Sequence, residues 1–154
     1  MTPAFHLVLV HPEIPHKTGA AGRLALATGS RLHLIKPLGF SLDEKHIRRT
    51  GLDYWAKVDL CVWDSLEELI RSAEPGSRFW YLSTKAKTLY WDAGFQRGDY
   101  FIFGPESKGL PESLLHENAA RALTIPMPGE GSRSLNLSTS VAIVLYEGMR
   151  ALRG

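Results

Sequence analysis

Short β-forming runs alternate with helical segments along nearly the whole chain, and that alternation calls for an α/β arrangement. Phe5 to Val10 is a β-rich run, followed by a segment, His11 to Lys17, that carries two prolines. Thr18 is then placed to cap a helix running through Arg23 to Ala27, with Gly29 as its stop. Arg31 to Ile35 reads as the second strand, closed by Pro37 and Gly39. Ser65 with Glu68 forms a Ser-x-x-Glu capping box that opens a helix through Ala73. Further strands are expected at Arg78 to Ser83, Tyr100 to Phe103 and Ala122 to Ile125, with a short helix begun by Pro111 between the last two. From Leu135 to Arg150, the apolar positions Leu137, Val141, Val144, Leu145 and Met149 predict a terminal helix.

The expected fold is therefore α/β, a largely parallel sheet flanked by helices, with its ligand site in the loops beyond the carboxyl ends of the strands. A length of 154 residues with 44% hydrophobic content suits one domain with one ordinary core. Three loops are rich in glycine, proline and hydroxyl residues: Ser83-Thr84-Lys85, Phe103 to Leu110, and Pro126 to Asn136. Chemistry is expected there.

Net charge is only +2, which does not mark a chain held on nucleic acid by bulk electrostatics, so any basic surface must be local. The strongest candidate is Lys45-His46-Ile47-Arg48-Arg49, on a short helix that Ser41 and Glu44 would cap. Lys45, Arg48 and Arg49 then share an exposed face, which reads either as a solvated helix surface or as an RNA contact. Cys61 stands alone, and the six histidines follow no repeated ligand spacing, so no metal site is expected. No segment approaches membrane-spanning length and no leader pattern is seen; a soluble, cytoplasmic protein is expected.

Gly104 and Gly109 have the spacing of a phosphate-binding P-loop, but Leu110 stands where its lysine is required. Gly129 to Ser134 looks like a dinucleotide fingerprint between a strand and a helix, yet no later strand supplies an acidic residue for the ribose. There is also no Gly-x-Ser-x-Gly elbow.

Three ordered motifs carry a more specific signal: Phe103-Gly104-Pro105-Glu106 with Gly109-Leu110-Pro111, then Ile125-Pro126-Met127, then Ser132-Arg133-Ser134-Leu135-Asn136-Leu137-Ser138. In these the chain resembles the trefoil-knotted RNA methyltransferases of the SPOUT class, which use S-adenosylmethionine (SAM). Within that class it is most similar to the small transfer RNA enzymes that methylate the ribose 2'-hydroxyl of the wobble nucleotide. The amino-terminal half agrees, through His11-Pro12-Glu13-Ile14-Pro15, Thr18-Gly19, Arg23-Leu24, Pro37-Leu38-Gly39-Phe40 and Arg48-Arg49-Thr50-Gly51-Leu52-Asp53-Tyr54. One departure stands out. The family's Pro-Pro-Asn-Thr-Gly reads Pro15-His16-Lys17-Thr18-Gly19 here, with a lysine in place of asparagine.

The resemblance implies a deep carboxyl-terminal trefoil knot and a SAM cleft formed by Leu82, Thr84, Gly104, Glu106, Ile125, Met127, Ser134 and Leu135. It assigns catalysis to Arg23, with Ser134 and Asn136 orienting the ribose or the SAM carboxylate. Because arginine stays protonated in proteins, Arg23 is expected to stabilise developing alkoxide charge rather than act as a base. Lys17 is expected to grip an RNA phosphate, beside Lys45, Arg48 and Arg49. The partners implied are the anticodon loop of tRNA and a second copy of the chain; Val141, Val144 and Leu145 on the last helix read either as contacts to that copy or as packing within the chain's own core, and Tyr146 either as a residue near the interface or as core. The competing reading is a non-catalytic RNA-binding protein of the same fold, motivated by Lys17 and the basic cluster.

Overall fold

The computed structural model describes residues 2–42 and 54–153. Its single sheet has seven strands: β1 (His6–Val10), β2 (Arg31–Ile35), β3 (Leu60–Trp63), β4 (Phe79–Leu82), β5 (Thr88–Leu89), β6 (Tyr100–Phe103) and β7 (Ala122–Thr124). They lie in the order β3-β2-β1-β6-β4-β7-β5. Every pairing is parallel, with His6 level with Arg31 on one side and Tyr100 on the other. The central strands are covered on both faces, as parallel sheets require.

Among the described residues, four α-helices do the covering: α1 (Pro15–Thr28), α2 (Leu66–Ser72), α3 (Glu112–Glu117) and α4 (Leu137–Ala151). Alternate residues of β1 feed the two faces. Leu7 and Leu9 join Ala21 and Ala25 of α1 and Val141, Val144 and Leu145 of α4, whereas Val8 and Val10 pack with Leu69 of α2 and Leu115 of α3. A fully buried side chain of this kind contributes about 1.5–3 kcal/mol, against about 1 kcal/mol for a helix cap. Strand alternation therefore outweighs local helix signals in deciding the fold.

Two local signals act as the sequence predicts. The Ser65 hydroxyl accepts from the Glu68 amide at 3.1 Å and opens α2. Gly29, at φ 66°, ends α1 in the left-handed conformation, its amide bonded back to the carbonyls of Ala25 and Leu26. The start of α1 differs from expectation: it begins at Pro15, with proline in the first turn, and Thr18 is an internal helix residue whose buried hydroxyl has no hydrogen-bond partner among the described residues.

β3 and the two-residue β5 were not expected from the sequence. Both lie at the edges of the sheet, where β3 is only half-buried and carries no strict alternation. The helix expected after Ser41 falls outside the described residues. Among the described residues, no helix is long and apolar enough to cross a membrane.

Candidate active site

The loops beyond the carboxyl ends of β4, β6 and β7 meet the segment entering α4 and enclose a cleft of about 530 Å³, a size usual for small-molecule sites. Leu82, the last residue of β4, and Thr84 just after it form one wall. Gly104 and Glu106 follow β6, and Ile125 and Met127 follow β7. Ser134, Leu135 and Asn136 complete the cleft at the head of α4. All the residues expected to hold the cofactor thus line one cavity, although they come from four separate segments.

Gly104 shows why the second loop has its sequence. A Cβ there would fall 2.3 Å from the Gly109 carbonyl carbon and 2.4 Å from the Leu110 nitrogen, so even alanine cannot fit without moving backbone. The loop doubles back on itself, with the Gly109 amide donating to the Pro105 carbonyl at 2.9 Å. Leu82, Ile125 and Leu135 offer apolar surface, and Thr84, Ser134 and the loop backbone offer polar groups. That donor set fits a ligand with a flat heteroaromatic end and a polar tail.

Charge around the cleft is mostly positive. Lys85 is tied to Glu112 at 2.6 Å. Lys17, Lys108 and Arg133 also line the cleft, and among the described residues none of them forms an ion pair. Glu106 is the carboxylate of the lining, and both its oxygens are committed: they accept from the amides of Glu13 at 3.0 Å and Ile14 at 2.8 Å. In return, the Glu13 carboxylate accepts from the Ser107 amide at 2.7 Å and the Ser107 hydroxyl at 2.8 Å. These two bonds, with a smaller contribution from Lys108, hold the Glu13 carboxyl below its ordinary range.

Asn136 is the cap of α4. Its Oδ1 accepts from the Ser138 amide at 2.9 Å and from the Ser138 hydroxyl at 2.7 Å, and its Nδ2 makes no hydrogen bond among the described residues. Arg23 is not brought to the cleft of its own chain. It is exposed on α1, its guanidinium 5.4 Å from the ring centroid of Tyr54, whose hydroxyl donates to the Gly19 carbonyl at 2.7 Å. Lys45, Arg48 and Arg49 lie outside the described residues.

For the last helix, the structure decides between dimer contact and core packing. Val141, Val144 and Leu145 have no exposed surface; they pack inside the core and offer nothing to a second subunit. The exposed apolar surface of α1 and α4 comes instead from Leu26 and Tyr146. Sequence reasoning also passed over Lys108 and Arg133 as cleft cations, and over the Glu13–Ser107 contact. Lys108 and Arg133 lie within the glycine- and proline-rich loops, but a contact spanning more than ninety residues, such as that of Glu13 with Ser107, leaves no local trace.

A parallel α/β sheet with glycine- and proline-built loops closing over a cleft beyond its carboxyl edge is the arrangement in which α/β proteins bind small ligands. The SpoU rRNA Methylase family model matches residues 4–146, and the chain belongs to that family. It is 44% identical over 147 residues to a tRNA (cytidine(34)-2'-O)-methyltransferase of Methylovorus glucosotrophus, covering 95% of this chain and 94% of that protein. A solved structure concerning 2-OH methylation of C/U34 on tRNA superposes with a TM-score of 0.88 at 46% identity, covering 97% of both chains. An AdoMet-bound rRNA methyltransferase from Sinorhizobium meliloti shares the fold, with a TM-score of 0.80 at 23% identity over 99% of this chain and 58% of that one.

Proposed function

We infer that this protein is a SAM-dependent tRNA methyltransferase that modifies the ribose 2'-hydroxyl of cytidine or uridine at position 34. The observation that carries the reading is the convergence of Leu82, Gly104, Ile125 and Leu135, from four segments of a family member, on one cleft. SAM supplies an electrophilic methyl group there. Leu82, Ile125 and Leu135 bind its adenine by apolar contact, and the tight backbone turn at Gly104 keeps side chains out of its way.

On the RNA side, the chain must position a weakly acidic hydroxyl and lower the cost of removing its proton. Asn136 Nδ2 and Ser134 orient the ribose, and Lys17 and Arg133 hold adjacent phosphates; that neither cation forms an ion pair among the described residues supports this reading. Arg23 stabilises charge developing on the oxygen by its fixed positive charge, while the proton passes to solvent.

Arg23 lies outside the cleft of its own chain, so a homodimer in which each subunit's Arg23 serves its partner's cleft goes with the reading. The expected threading of the carboxyl-terminal segment into a trefoil knot, and a cytoplasmic setting in which Cys61 stays reduced, belong to the same proposal. Titration calorimetry with SAM tests the site: binding near one molecule per chain is expected, and no binding would overturn the proposal.

A further inference from the structure

The mutual grip between the amino-terminal approach to α1 and the loop after β6 has no role in the mechanism above. Each segment contributes one glutamate, and each glutamate accepts two hydrogen bonds from the other segment: Glu106 from the amides of Glu13 and Ile14, Glu13 from the amide and hydroxyl of Ser107. Bonds to ionised carboxylates are among the stronger hydrogen bonds, and a bidentate arrangement at both ends fixes orientation as well as distance. Each carboxylate is met by two donors from the opposite segment.

A third segment backs it. The Gly39 amide donates to the Pro12 carbonyl at 2.9 Å, and a Cβ on Gly39 would stand 2.8 Å from the Glu13 carbonyl oxygen, so the backbone of Glu13 is pressed between the loop after β2 and the loop after β6. The two joined segments have different tasks. The loop carrying Gly104, Glu106 and Ser107 forms the cofactor side of the cleft, whereas α1 carries Lys17 into the cleft and Arg23 along its exposed face. Glu13 itself does not line the cleft.

We infer that Glu13 is a positioning residue that, through Ser107 and the reciprocal Glu106 contact, couples occupation of the cofactor side of the cleft to the grip of α1 on RNA. This rests on the proposed function. Order imposed on the loop by a bound nucleoside is transmitted to the start of α1, and by linkage RNA strengthens cofactor binding by the same factor.

The test measures tRNA affinity with and without saturating S-adenosylhomocysteine, which cannot donate a methyl group, in the wild type, Glu13→Ala and Glu13→Gln. In the wild type the nucleoside is expected to tighten tRNA binding by about fivefold or more, a usual size for such coupling. Glu13→Ala should reduce that factor to less than about twofold, with the affinity for S-adenosylhomocysteine in the absence of tRNA unchanged and, by the same linkage, the KM for SAM at saturating tRNA raised by the factor lost. Glu13→Gln should retain most of the coupling, because its amide oxygen still accepts from the Ser107 amide and its NH2 group donates to the Ser107 hydroxyl. Glu13 is exposed, so the variants should fold, which thermal melting checks; Ser107→Ala, losing the hydroxyl bond alone, should give an intermediate factor. Full coupling in Glu13→Ala, or none in the wild type, overturns the inference. Failure of the wild type to bind tRNA or the nucleoside at all would instead overturn the proposed function.

Discussion

His6 Nδ1 and His33 Nε2 share a 2.8 Å hydrogen bond in the buried layer between β1 and β2, with the His6 ring stacked on Tyr100 at 4.0 Å. The Trp63 indole N–H donates to His33 Nδ1 at 3.0 Å. Since indole can only donate, His33 carries its proton on Nε2 and passes that hydrogen bond to His6. Each ring is held neutral: burial, then Arg31, pushes His6 down to about 4, and burial, then His6 and Arg31, pushes His33 down to about 3.

The unfolded chain takes up these protons near pH 6.5, before the folded protein does. The pair's stabilisation is therefore complete above pH 6.5 and declines as pH falls toward the folded values. His6 alone implies a loss on the order of 3 kcal/mol between pH 6.5 and pH 4. Urea unfolding at stepped pH should show stability falling over this interval. A flat profile would mean that the rings are protonated in the folded state.

Asn136 combines two tasks that a substitution can separate. Asn136→Ala should cost about 1 kcal/mol through loss of the α4 cap. Asn136→Asp keeps the capping oxygen but has no Nδ2, so its melting temperature should stay near that of the wild type while methyl transfer falls at least about tenfold, the worth of one hydrogen bond to the reacting group. Full activity in the aspartate variant would confine Asn136 to capping.

The extent of the fold that was legible follows from where each signal resides. β1, β2 and β6 announce themselves because central parallel strands must be apolar on both faces, and α4 because Leu137, Val141, Val144 and Leu145 repeat at helical spacing. The start of α1 was misread, since Thr18 is a good cap by type, whereas the amides of Glu13 and Ile14 just before the helix are satisfied from a distance by Glu106. The cleft residues were legible only through resemblance to a family. Taken singly, Leu82 and Ile125 are ordinary strand-end residues, and only the crossing order of β4, β6 and β7 brings them together.

If each site draws Arg23 from the other subunit, two inactive variants should complement one another. Arg23→Ala retains an intact cleft, and Gly104→Val retains Arg23 but closes the loop against Gly109 and Leu110. Each alone should lose at least about a hundredfold in activity, the scale seen when an oxyanion-stabilising group or its positioning is removed. Unfolded and refolded together in equal amounts, they should recover about a quarter of wild-type activity, one good site in each mixed dimer. No recovery would place Arg23 in service of its own chain.

The central claim is tested most directly by transferring labelled methyl from SAM to unmodified tRNA and mapping the label by nuclease digestion, with the wild type beside Arg23→Ala. Label on the ribose of nucleotide 34, lost in the variant, is the predicted result. Label on a base or at another position, or none despite confirmed tRNA binding, would contradict the assignment.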